Sequence, residues 1–187
     1  MGILERFSTY PSDLVGLLSF TLATVACAIA ARRSERHESL TWNLLGFVNF
    51  LFVVEIYFGS RYRITEFTKT LLTKENVYIQ LHGWFQQATI IVVTTTLGVF
   101  AFVIVLRVIA RNSTRAAATI TIAVLALFAI ETISLHSIDA IFYRPLGPIL
   151  VLGWIWAGAG AGTTLAALQS VSNKHVRLDR TSPRDFR

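Results

Sequence analysis

Apolar residues in this chain do not alternate with polar ones; they gather into five long runs, at about 12–31, 41–59, 79–106, 116–138 and 147–170. Each run is close to or above the ~20 residues that a helix needs to cross a hydrocarbon core of about 30 Å. The pattern predicts an all-α polytopic membrane protein, a bundle of about five transmembrane helices over residues 1–173 followed by a basic cytoplasmic tail at 174–187. The first run is not a cleaved signal sequence, because only Glu5 and Arg6 carry charge before it while Arg32 and Arg33 follow it. Asp139, Arg144 and Pro145 break the fourth run, and Pro145 and Pro148 predict a tight connection into the last.

Between the second and third runs, at 61–77, Ile64, Phe67, Leu71 and Leu72 recur at helical spacings among Arg63, Glu66, Lys69 and Lys74. This is the pattern of a short helix lying in the membrane interface, either a lid over the bundle or a passive connector. Four threonines, Thr65, Thr68, Thr70 and Thr73, lower its helix propensity. In the last run, Gly158 and Gly162 form a Gly-x-x-x-Gly spacing that lets another helix approach closely, in the same chain or by self-association. Trp154 and Trp156, with Trp84 at the corresponding end of the third run, read as an aromatic belt.

Composition agrees with a chain that is not solvated by water: 53% of the 187 residues are hydrophobic, 15% are charged, and the mean hydropathy is +0.57. The single cysteine, Cys27, lies inside an apolar run, so no internal disulfide forms. The net charge of +6 sits in the gaps between runs and therefore reports topology. With the N-terminus outside, eleven Lys and Arg fall in the cytoplasm (Arg32, Arg33, Arg36, Arg107, Arg111, Arg115, Lys174, Arg177, Arg180, Arg184, Arg187) against six outside (Arg6, Arg61, Arg63, Lys69, Lys74, Arg144). The N-out, C-in orientation follows. The tail either meets anionic headgroups, at about 1 kcal/mol per basic residue near the surface, or stays solvated. The lipid bilayer is the expected partner. Nucleic acid and nucleotide are not, because no glycine-rich phosphate loop and no basic surface interleaved with aromatics is present.

Any chemistry should lie where ionisable residues enter the spans, since a charge near the bilayer centre costs at least ~2.5 kcal/mol and needs a partner or a role. Glu55 closes the second run, His82, Gln86 and Gln87 open the third, and Glu131, His136 and Asp139 close the fourth. All fall in the outer third of the membrane in the orientation above. One reading is a metal site of Glu55, His82, His136 and Asp139, a mixed imidazole and carboxylate set suited to zinc, iron or copper. At about 100° per residue, Glu131 and His136 lie about 140° apart, so one ion cannot easily take all three polar residues of the fourth run. Asp139 could instead orient the His136 ring. A second reading is haem b held between His82 and His136, with Arg61, Arg63 and Arg144 where propionates would emerge. In both, Gln86 and Glu131 belong to the same outer cavity, and redox work is one use of it. The plain alternative is a polar rim that only holds helices together, in an accessory or scaffold subunit. Ser134 and Ser137 flank His136 but do not face it, so no nucleophile and base pair forms, no catalytic residue is assigned, and enzymatic activity stays open. Transport has thin support, resting on Asn43, Asn49, Thr94, Thr95 and Thr96.

The stretch Ser134, Leu135, His136, Ser137, Ile138 and Asp139 resembles an uncharacterised family of small bacterial multi-span inner-membrane proteins. Their penultimate span ends in Ser, Phe or Leu, His, any residue, Ile or Val, and Asp. Glu55 followed by Arg61, and Tyr78 followed by Gln86 and Gln87, are more loosely similar to the same family, so the likeness covers about residues 50–155. The family pattern has a second histidine beside the first, where this chain has Ser137, which weighs against a ligand role for that position. The resemblance implies a bacterial inner-membrane location and carries no activity with it.

Overall fold

The structure, a computed structural model, describes the backbone of residues 11–59, 84–109, 111–133 and 140–181, and the side chains of 11–59, 95–107, 109, 111–131 and 140–172. Five long helices account for nearly all of it: α1 (Pro11–Arg33), α2 (Arg36–Phe58), α3 (Trp84–Val108), α4 (Asn112–Ile133) and α5 (Val151–Thr181). Four of them are long and apolar enough to cross a membrane, namely α1, α2, α4 over Asn112–Glu131 and α5 over Val151–Ser172. In α3, a helix of 25 residues, the apolar stretch with described side chains is Thr95–Arg107. The interfacial helix expected at 61–77 lies outside the described residues.

The breaks between helices have local causes. Ser34 and Glu35 interrupt the first pair, with Glu35 extended (φ −67°, ψ 160°) and its carbonyl accepting the N–H of Ser39 as α2 begins. Gly59 ends α2 in the left-handed conformation (φ 60°), returning its N–H to the Glu55 carbonyl at 2.7 Å. The connection into α5 is a hairpin: β1 (Pro145–Leu146) pairs antiparallel with β2 (Ile149–Leu150) across Gly147, at φ 72°, and Pro148. The tight turn expected from the two prolines is therefore present.

Contacts fix the helix directions. Ser12 meets Gly153 and Ser19 meets Gly160, so α1 and α5 run parallel. Gly16 meets Ile56 and Gly46 meets Cys27, so α2 runs against α1. Arg111 reaches Ser170, Ile120 meets Gly162 and Phe128 stacks on Trp156, which makes α4 antiparallel to α5. Phe52 stacks on Phe128 while Glu38 pairs with Arg111, so α2 and α4 are parallel. The α3 helix packs on α4 and joins it through residues 109–111, which makes that pair antiparallel. Successive helices thus alternate in direction, and two ends result: an arginine end, with the close of α1 and α3 and the start of α2 and α4, and an acidic end, with the close of α2 and α4.

Two clusters fill the interior. Toward the arginine end, Ala26, Cys27, Ala30, Ala31, Ala117, Ala118, Ala166 and Ala167 surround Trp42 and Leu45. Small side chains there let helices approach closely, as membrane bundles require when lipid offers no hydrophobic drive between them. Toward the acidic end, Phe20, Phe52, Ile56, Val124, Phe128, Leu152 and Trp156 make an aromatic layer. The outside is apolar instead: Leu18, Leu22, Leu44, Phe47, Phe100 and Leu165 are each half exposed or more. Contiguous apolar surface on this scale suits hydrocarbon.

The structure divides the glycine and tryptophan expectations residue by residue. Trp156 is fully buried in the aromatic layer and does not join a belt; Trp154, exposed, donates its indole N–H to the Leu146 carbonyl at 2.9 Å. A Cβ added at Gly158 would meet nothing within 4 Å, whereas one at Gly160 would lie 2.6 Å from the Ser19 Cβ. Gly162 faces Ile120 of α4. Within the chain, α5 makes close approaches through Gly153 and Gly160 against α1, seven residues apart, and through Gly162 against α4, while Gly158 is left open.

Candidate functional site

The acidic end is built on a ladder of rings drawn from four helices. Phe52 of α2 and Phe128 of α4 stack at 4.9 Å with their planes 6° apart. Trp156 of α5 continues the stack at 6.0 Å from Phe128, and Phe20 of α1 tilts against Phe52 at 5.1 Å. Offset stacking adds about 0.5–1.5 kcal/mol per pair beyond burial, and the rings leave a rigid apolar floor.

Both acids stand just beyond that floor. Glu55 follows Phe52 by three residues and Glu131 follows Phe128 by three, on helices that run parallel, so each acid is placed just under one turn, about 4.5 Å in backbone rise, past the aromatic layer. Glu131 is only 6% exposed, and its Oε1 accepts the Tyr143 hydroxyl at 2.8 Å. Glu55 is half-buried and is also engaged in an interaction. A buried carboxylate must be paired, protonated or bound to a cation, because the desolvation cost is otherwise several kcal/mol.

Residues 143–150 tie this end to α1 and α4. Tyr143 precedes the hairpin, whose Leu150 N–H donates to Ser12 Oγ at 2.9 Å at the start of α1, while the Val151 N–H donates to the Arg144 carbonyl at 3.1 Å. The phenol therefore reaches Glu131 from a connector pinned to the first helix. Tyr143 was missing from the sequence-derived candidates; its signal was a hydroxyl-bearing aromatic in the short connector beside the only acids of the fourth run.

Of the other candidates, Arg144 lies exposed at this same end. Gln86 is in the first turn of α3, which opens here, and its side chain is outside the described set. His82, His136, Asp139, Arg61 and Arg63 lie outside the described residues, as does the family-like stretch Ser134 to Asp139. Among the described residues, no three His, Cys, Asp or Glu side chains converge as a metal set.

Two buried polar residues deeper in the spans bond back to their own helices. Asn49, buried, donates to the Leu45 carbonyl at 2.8 Å, and Thr121 bonds back to Ala117 at 2.9 Å. Thr95 and Thr96 face outward. A second polar group that the sequence pattern did not announce sits at the arginine end, where Arg111 binds Glu38 at 2.9 Å and the Ser170 carbonyl at 2.8 Å. This junction ties α2, α4 and α5 together.

Comparison with protein-family models, with curated proteins and with solved structures finds no match for the chain.

Proposed function

We propose that the chain is a five-span protein of the bacterial inner membrane, N-terminus outside and C-terminus cytoplasmic, whose outer end binds a transition-metal ion. The ligands are Glu55, His82, His136 and Asp139, with Glu131 and Gln86 beside them. The observation that carries this reading is the pair of acids one turn above the aromatic stack, one of them nearly fully buried inside a membrane span. Two acids at similar depth on neighbouring parallel helices are oxygen donors that a cation can use beside the partners they already have. Two features extend the set toward imidazole. His82 comes two residues before the described start of α3 and His136 three after the described end of α4, and those helix ends face the same side. A redox-active ion here would make the site redox-related; zinc would make it a Lewis acid or a structural tie.

Haem b between His82 and His136 is the second reading of the same end. The scaffold reading also has a specific observation in its favour, since the Tyr143 hydroxyl gives Glu131 a protein partner without any ion.

Elemental analysis and an absorption spectrum of the purified protein separate these readings. One equivalent of a transition metal without a Soret band, lost in His136→Ala, is expected. A Soret band would favour haem b. Neither metal nor chromophore, with a His136→Ala protein only slightly less stable, would leave the scaffold.

A further inference from the structure

The arginine end carries more charge than its helix packing uses. Six arginines lie at this end of the bundle: Arg32 and Arg33 at the close of α1, Arg36 at the start of α2, Arg107 in the last turn of α3, and Arg111 and Arg115 around the start of α4. Two acids, Glu35 and Glu38, stand among them. Arg111 is spent on Glu38 and the Ser170 carbonyl, and Arg115 turns its Nε onto the Ile109 carbonyl. Arg32, Arg36 and Arg107 are exposed, on two helix corners that the Arg111 and Glu38 pair draws together.

What lies next to these arginines identifies the ligand. One turn from Arg36, Leu40 is 66% exposed, and beside Arg107 the side chains of Ile104 and Leu106 are open. Ile29, one turn before Arg32, is exposed as well. A ligand that satisfies this rim must present an anion to the guanidinium groups and hydrocarbon to the leucines directly above them. Arginine binds phosphodiester oxygens through paired N–H donors, and a lipid is the molecule that joins such a headgroup to acyl chains.

We propose that this end of the bundle holds an anionic phospholipid, its phosphate between the α1–α2 and α3–α4 corners and its chains along the adjoining apolar faces. This site lies at the opposite end from the metal site and is independent of it. A soluble anion would use the arginines and leave the apolar rim unused, and a zwitterionic lipid would bring a compensating positive charge into a cationic corner.

Native mass spectrometry of the full chain in detergent, with equimolar phosphatidylglycerol and phosphatidylcholine, tests it. The wild type should retain phosphatidylglycerol preferentially. The triple variant Arg32→Gln, Arg36→Gln, Arg107→Gln should lose at least tenfold of that preference, within the range expected for three basic residues acting at a lipid surface. Arg144→Gln, at the other end, should leave it unchanged. If the triple variant does not fold, Arg36→Gln and Arg107→Gln are measured singly, and each should lower the preference a few-fold. A preference that survives these substitutions, or falls equally in Arg144→Gln, would overturn the proposal.

Discussion

Gly160 is a position where one added methyl group should be costly, because the atoms it meets are mostly backbone. An alanine Cβ there would sit 2.6 Å from the Ser19 Cβ and 2.7 Å from the Ser19 carbonyl carbon and oxygen. Carbon contacts are optimal near 3.5–4.0 Å, so α1 and α5 would have to part by about 1 Å. Two of the three obstructing atoms are backbone, so no rotamer change relieves the clash. Overpacking of this kind costs about 1–3 kcal/mol, occasionally more, against a gain of up to about 1 kcal/mol from replacing glycine inside a helix. The net expectation is a loss of about 1–2 kcal/mol, or roughly 2–8 °C in Tm for a chain of this length. Gly153→Ala meets Ser12 at 3.0–3.2 Å and should cost less, and Gly158→Ala meets open space and should be neutral. Thermal unfolding of the three variants in one mild detergent gives the order directly. A Gly158→Ala protein less stable than Gly160→Ala would refute the parallel packing of α1 on α5.

Two further substitutions probe the polar contacts at either end. Tyr143→Phe removes the hydroxyl from the buried Glu131 and should destabilise by about 1–3 kcal/mol; a double-mutant cycle with Glu131→Gln should give a coupling above about 0.5 kcal/mol, and zero coupling would mean that the contact is incidental. Arg111→Gln loses both the Glu38 carboxylate and the Ser170 carbonyl, and should lower stability by about 1–3 kcal/mol, while Glu38→Gln, which leaves the second bond intact, should cost less; equal losses would show that the Ser170 contact contributes nothing.

Much of this architecture was legible because membrane spans are written in run length. The apolar stretches near 12–31, 41–59 and 147–170 correspond to α1, α2 and the membrane-crossing part of α5, and Pro145 and Pro148 announced the hairpin. Glu131 was legible for a related reason, since an acid flanked by Leu127, Phe128, Ala129 and Ile130 has no cheap place to be. What was not legible is which face of a helix meets which neighbour. Trp154 and Trp156 are two residues apart, about 200° around the helix, so only one of them could face lipid. The same spacing separates Gly158 from Gly160, and the choice between them depends on Ser12 and Ser19 of a helix far away in sequence. Tyr143 eluded the pattern because its partnership with Glu131 depends on how the chain returns after α4.

The proposed site depends on one geometric premise, that the helices alternate across the membrane so that Glu55, Gln86 and Glu131 share its outer side. Reporters that become active on only one side of the membrane, inserted near Thr70 and fused after Arg187, measure it directly. Five spans with an outer acidic end predict Thr70 outside and the C-terminus in the cytoplasm. Both reporters on the same side, or the reverse labelling, would contradict the account.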